Sequence, residues 1–92
     1  MTTKYRTPLP DGRIATRTSA TRRYTHIVVT FADYPASVGE WELKHHSGRW
    51  LVAGYCGSLP LAEKLAGTWS KTLTAMGCSN IDVRILPVGV AS

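Results

Sequence analysis

Eight residues, Tyr24-Thr-His-Ile-Val-Val-Thr-Phe31, constrain the fold more than any other stretch of this chain. A run dominated by β-branched and aromatic side chains is stiff at χ1 and packs best on a pleated surface. Odd positions Ile27, Val29 and Phe31 supply an apolar face, while Tyr24, His26 and Thr30 supply a mixed one that Val28 interrupts. That pattern predicts a central strand in a sheet covered on one side.

The other elements are placed outward from this strand. Arg13 to Ser19 alternates, with Ile14, Thr16 and Thr18 on one side and Arg13, Ala15 and Arg17 on the other, which predicts a strand with one basic face. Its short connection through Arg22 and Arg23 predicts an antiparallel hairpin with the central strand. Asp11-Gly12 marks the preceding turn, and residues 1–10, with Pro8 and Pro10 and no apolar period, read as a loosely ordered N-terminal tail. Downstream, Trp41, Leu43 and His45 alternate with Glu42, Lys44 and His46, and Ser47-Gly48 separates that run from Arg49 to Cys56, so a second hairpin is expected. Ser58 as N-cap and Pro60 in the first turn open a helix. Leu61, Leu65, Trp69, Leu73 and Met76, with Ala62 and Ala66, form its apolar stripe, and Gly77 ends it. Ile81, Val83 and Ile85 alternate with Asp82 and Arg84 in a last strand before Pro87. The expected fold is one small α+β domain over residues 1–92: a mostly antiparallel sheet of four to five strands in the order β-β-β-β-α-β, covered on one face by one helix.

A chain of 92 residues makes one domain with a modest core, burying roughly 60–65% of its unfolded surface. Its 43% hydrophobic and 18% charged residues belong to a globular chain rather than a disordered one. No apolar run reaches the roughly 18–20 residues of a membrane span, and the first residues lack the apolar segment of a signal peptide, so a cytosolic location is expected. Cys56 and Cys78 flank the helix, which would hold them roughly 27 Å apart, too far for a bridge or a shared zinc. The net charge of +5 is concentrated at one end. Residues 1–23 hold Lys4, Arg6, Arg13, Arg17, Arg22 and Arg23 against Asp11 alone, while the remainder is balanced. Such an arm suits nucleic acid, an acidic protein surface or an anionic membrane, or serves only solubility.

Residue types for catalysis do not assemble. His26, His45 and His46 have no carboxylate or cysteine at metal-ligand spacing, no hydroxyl or thiol sits in a nucleophile motif, and no glycine-rich loop is arranged to cradle phosphate. The sequence therefore predicts a non-enzymatic protein with no cofactor and no metal. Trp69 belongs to the helix stripe, whereas Trp41 and Trp50 flank the Ser47-Gly48 turn as a cross-strand pair or an exposed contact. The expected partner-binding residues are Arg17, Arg22, Arg23, Tyr24 and His26, since arginine and tyrosine are the types most enriched at binding hot spots. The same cations interleaved with aromatic rings also suit a DNA- or RNA-binding module that uses an Arg-rich sheet face.

Arg17-Thr-Ser-Ala-Thr-Arg-Arg-Tyr-Thr-His-Ile-Val-Val29 and Ser58-Leu-Pro-Leu-Ala-Glu-Lys-Leu-Ala66 resemble segments of small proteins of unknown function encoded by actinobacteriophages, mycobacteriophages especially. The resemblance covers about half the chain and brings no catalytic residue. It implies a non-structural, cytotoxic phage product in the host cytoplasm that binds and inhibits a host bacterial protein. A DivIVA-type coiled-coil scaffold of cell growth is one target class it suggests.

Overall fold

The computed structural model describes residues 2–90. The strands are β1 (Thr3–Pro8), β2 (Ile14–Ser19), β3 (His26–Asp33), β4 (Arg49–Cys56), β5 (Ser79–Pro87) and β6 (Gly89–Val90), and the helices are α1 (Glu40–His45) and α2 (Leu59–Ala75). A 3-10 turn at Ala36–Val38 precedes α1. They build two antiparallel three-stranded sheets, β2-β1-β6 (sheet A) and β4-β3-β5 (sheet B), with α2 as the one main helix. The fold is thus α+β as expected, but with six strands in two sheets rather than four to five in one.

β3 is central, and both its faces are covered. On the odd face, Ile27 and Val29 join Leu9 in a buried cluster against which Ala15, Trp50, Tyr55, Leu86 and Val88 pack. Leu9 and Ala15 come from the β1–β2 hairpin, so sheet A caps this side. On the even face, Val28 is buried with Cys56 and Ala62, and Leu65, Ala66, Val83 and Ile85 close around them. The expected one-sided sheet fails at Val28, which marks a second core, the one under the helix. A bulge at Ala53, where the register steps from Val28↔Gly54 to Val29↔Val52, lets β4 present both Tyr55 and Trp50 to the odd face.

The expected N-terminal tail is a strand. Tyr5, Thr7 and Leu9 are buried while Lys4, Arg6 and Pro8 are exposed, a period-two pattern that the prolines do not disturb because they sit at the end of the strand and beyond it. Met1 lies outside the described residues. β2 pairs with β1, from Thr3↔Ser19 to Pro8↔Ile14, and not with β3 as the short connection suggested. The Asp11-Gly12 turn, with Gly12 at φ 90°, closes that hairpin, and residues 20–25 then cross from sheet A to sheet B.

The expected strand at Trp41–His46 is α1. Gly39 at φ 98° turns the chain, Glu40 and Glu42 occupy the first turn, and Lys44 and His45 occupy the last, matching the helix dipole at both ends. Two contacts at i,i+4 spacing hold it, Trp41 against His45 with ring centroids 4.7 Å apart, and Glu42 paired with His46 at 2.5 Å.

α2 starts where expected, with the Ser58 hydroxyl accepting from the Leu61 N–H, and Gly77 at φ 83° follows its end. Its buried face is the expected stripe without its two ends: Ala62 and Leu73 are fully buried and Leu65, Ala66 and Trp69 half-buried, whereas Leu61 is 57% exposed and Met76 is also exposed. Gly54 on β4 allows the close approach, since a methyl there would lie 2.9 Å from Leu65 Cδ2.

Candidate binding groove

The crossing segment 20–25 is fixed by side chains up to Tyr24, and Thr25 then joins sheet B through its backbone, donating to the Cys56 carbonyl and accepting from the Val88 N–H. Buried Tyr5 donates its hydroxyl to the Arg22 carbonyl and accepts the Tyr24 N–H, both at 3.2 Å. The Arg22 N–H donates to Ser19 Oγ at 2.9 Å. With the backbone tied in this way, the side chains of Arg22 and Arg23 are left exposed.

Beneath them three tyrosines stack. Tyr24 meets Tyr5 edge-on at 5.2 Å between centroids and Tyr55 in a tilted contact at 5.5 Å. Arg17, opposite Tyr5 in the β1–β2 register, lays its guanidinium carbon 5.3 Å from the Tyr24 ring centroid and 5.5 Å from that of Tyr55. Burial pushes the Tyr55 phenol above its ordinary pKa, and the nearby Arg17 charge only partly offsets that. The Tyr55 hydroxyl is buried with no hydrogen-bond partner.

Two grooves flank the Arg23–Tyr24 ridge. One, of about 470 Å³, is lined by Arg22, Tyr55, Leu61 and Leu65 together with the ridge. The other, of about 380 Å³, is lined on its far side by Thr3, Tyr5, Thr25 and Val90. Gly57 packs against the ridge from below, where a Cβ would stand 3.2 Å from the Arg23 carbonyl oxygen.

Of the five residues expected to bind a partner, the structure brings Arg17, Arg22, Arg23 and Tyr24 together. His26 is not among them: it is half-buried on β3 opposite Cys56 and Pro87, its Nδ1 is 2.7 Å from Thr25 Oγ1, and it lines neither groove. Tyr5, Tyr55 and Leu61 complete the site; Tyr5 is one of the aromatic rings expected among the arginines, while Tyr55 and Leu61 went unread.

The expected basic face of β2 is turned to the body of the protein. Ala15 packs on the core, Arg17 lies on the tyrosines, and Arg13 pairs with Asp11 at 2.7 Å and donates to the Trp50 carbonyl. The Arg13 N–H above all, helped by its guanidinium, holds the Asp11 carboxyl below its usual range, against an opposing desolvation. Lys4 and Arg6 instead carry charge on the outward side of sheet A, beside Thr18 and Thr16.

A third concavity, of about 450 Å³, opens under α1, lined mainly by Leu51, Val52, Trp69 and Met76, with Tyr34 and the Glu42–His46 pair at its polar side. Burial raises the Tyr34 phenol, and Cys78 and Glu42 add to that. Trp41 stands 62% exposed near it, its ring edge-on to His46 at 5.1 Å. Among the described residues no three His, Cys, Asp or Glu side chains gather as a metal site would require.

These elements define a compact α+β domain of two antiparallel three-stranded sheets and one main helix, without a helix long and apolar enough to cross a membrane. The chain matches no family model, no curated protein and no solved structure.

Proposed function

We propose that this chain is a non-enzymatic binding protein that takes a protein partner on the Arg22–Arg23–Tyr24 ridge. The observation that carries this reading is the ridge itself: two exposed arginines next to a Tyr5–Tyr24–Tyr55 cluster on which the Arg17 guanidinium lies, beside an exposed Leu61. Aromatic rings, arginines and an apolar side chain at one concave site are the composition of a hot spot that receives an acidic segment with an apolar anchor. Preordering of the crossing segment by Tyr5 lowers the entropic cost of docking. The resemblance to actinobacteriophage proteins supplies the setting, a host bacterial protein modulated in the host cytoplasm. A coiled-coil scaffold of the DivIVA type suits the ridge because such surfaces set acidic residues beside apolar ones.

Nucleic acid is the second reading, favoured by Lys4 and Arg6 on the outward side of sheet A, neither in an ion pair among the described residues. Capture from host lysate with and without nuclease separates the two. The protein reading expects a partner retained after nuclease and lost with Arg22→Glu/Arg23→Glu at an unchanged thermal midpoint. Loss of every partner on nuclease treatment, with a salt slope that falls by about 0.9 per lost phosphate contact in Lys4→Ala and Arg6→Ala, overturns it in favour of the second.

A further inference from the structure

β5 lies at the outer edge of sheet B, hydrogen-bonded to β3 on one side only. At nine residues it is the longest described strand; its register with β3 shifts once, at Asn80–Ile81 near its start, and from Asp82 to Leu86 it carries neither proline nor bulge, two devices that commonly blunt an exposed edge. The other edges are interrupted or short: β4 bulges at Ala53, β2 has six residues and β6 has two.

The phase of this edge follows from its inner ladder. The Val88 N–H donates to the Thr25 carbonyl at 3.0 Å, one step beyond the His26↔Pro87 pair. Backbone groups alternate sides along an antiparallel strand, so Leu86, Arg84 and Asp82 also turn theirs to β3, while Ile85, Val83 and Ile81 turn theirs outward. Pro87 falls in the outward set, where its missing N–H costs the inner ladder nothing.

We propose that two copies of this chain pair through this edge, antiparallel about a two-fold axis at Val83, joining two three-stranded sheets into one of six strands. In that register Val83 faces the partner's Val83 and Ile81 faces the partner's Ile85, exchanging the free backbone hydrogen bonds. Asp82 faces the partner's Arg84, and Arg84 the partner's Asp82, at the non-hydrogen-bonded positions where opposite side chains approach most closely. Sliding one strand by two residues in either direction sets Asp82 on Asp82 or Arg84 on Arg84, so charge selects the symmetric register. Both groups are already oriented on the face away from α2: Arg84 donates to Asp82 at 2.9 Å and stacks on Trp50 at 4.9 Å. On the helix side Ile81, Val83 and Ile85 remain only half-buried, which leaves apolar surface for the second copy to cover.

The test is light scattering from micromolar to millimolar protein, with residue-resolved amide exchange at both ends of the range. Expected are a mass that rises to twice that of the monomer and amide protection at Ile81, Val83 and Ile85 that appears only with the dimer, while Asp82, Arg84 and Leu86 are protected throughout. Asp82→Arg weakens association by roughly tenfold or more, and Asp82→Arg/Arg84→Asp restores it. A monomer at every concentration overturns the proposal, and so does a dimer whose three outward amides exchange freely. The wild-type exchange pattern decides the matter even where a charge variant folds poorly.

Discussion

Gly54→Ala tests how α2 is seated on sheet B. The new methyl would lie 2.9 Å from Leu65 Cδ2, against an ordinary carbon–carbon separation of about 3.5–4.0 Å, so Leu65 or the helix must give way. Overpacking of this kind costs about 1–3 kcal/mol. It is opposed by about 0.4–1 kcal/mol from the reduced freedom of the unfolded chain, since the Gly54 backbone lies outside the left-handed region. Net destabilisation of about 1 kcal/mol follows, a fall in thermal midpoint of about 4–8 °C for a domain of this size. Leu65→Ala alone removes a half-buried side chain and costs about 2 kcal/mol, the low end of the range for such truncations. In that background the clash is gone and the methyl added at position 54 refills part of the space, so Gly54→Ala there stabilises by about 0.5 kcal/mol. Urea unfolding of the four proteins should therefore give a coupling of about 1.5 kcal/mol, with the effect of Gly54→Ala changing sign. Additivity within about 0.5 kcal/mol would refute the contact.

Two further outcomes are expected. Leu73→Ala, at a side chain with 0% exposure, lowers urea-unfolding stability by about 3–5 kcal/mol, whereas Leu61→Ala, at one 57% exposed, costs less than about 1 kcal/mol; equal losses would show that Leu61 is buried with the rest of the stripe. Tyr34 and Tyr55 are both raised by burial, so their contribution is fully present below the ordinary phenol value of about 10 and is lost as pH climbs through the raised values. Tyr55→Phe removes an unpartnered buried hydroxyl, so it should stabilise by about 1 kcal/mol at neutral pH and make the alkaline decline in urea midpoint shallower, and an unchanged decline would argue against a buried phenol.

Much of sheet B and α2 was legible because their signals are long and periodic: the β3 run, the Ser58 cap, Gly77 and the alternation through Ile81, Val83 and Ile85 all stand in the elements expected. Where the reading failed, two periods or two partners competed. Glu40 to His45 alternates well enough for a strand, but its charges are ordered for a helix dipole and its i,i+4 pairs decide for α1. β2 had two candidate partners, and a short connection favours the next strand in sequence; Tyr5, Thr7 and Leu9 make β1 the better one because they bring buried surface with them. Val28 is a case where one residue spoke for a whole layer, since an aliphatic side chain on the mixed face of a central strand is the trace of a second core. Four of the five site residues cluster because Arg22 to Tyr24 are neighbours in sequence and Arg17 reaches the same place across a hairpin. His26 was included because strand alternation sets it on the same side as Tyr24, but the β3 ladder begins only at His26, so the pleat does not tie the two to one side.

Sheet A is assembled from opposite ends of the described chain, with Tyr5 opposite Val90 and Arg6 opposite Gly89. Gly89 fits there because a Cβ would stand 2.8 Å from the Arg6 carbonyl oxygen, so the closure admits no larger residue without moving β1. During synthesis the β1–β2 hairpin is made before β3 and β6, with Tyr5, Thr7 and Leu9 still bare. It must wait for β3 to cover its inner side and for β6 to complete its edge. The arginine ridge, which depends on Tyr5 to hold the crossing segment, is therefore completed only after the two ends of sheet A have met, late in folding rather than with its own stretch of sequence.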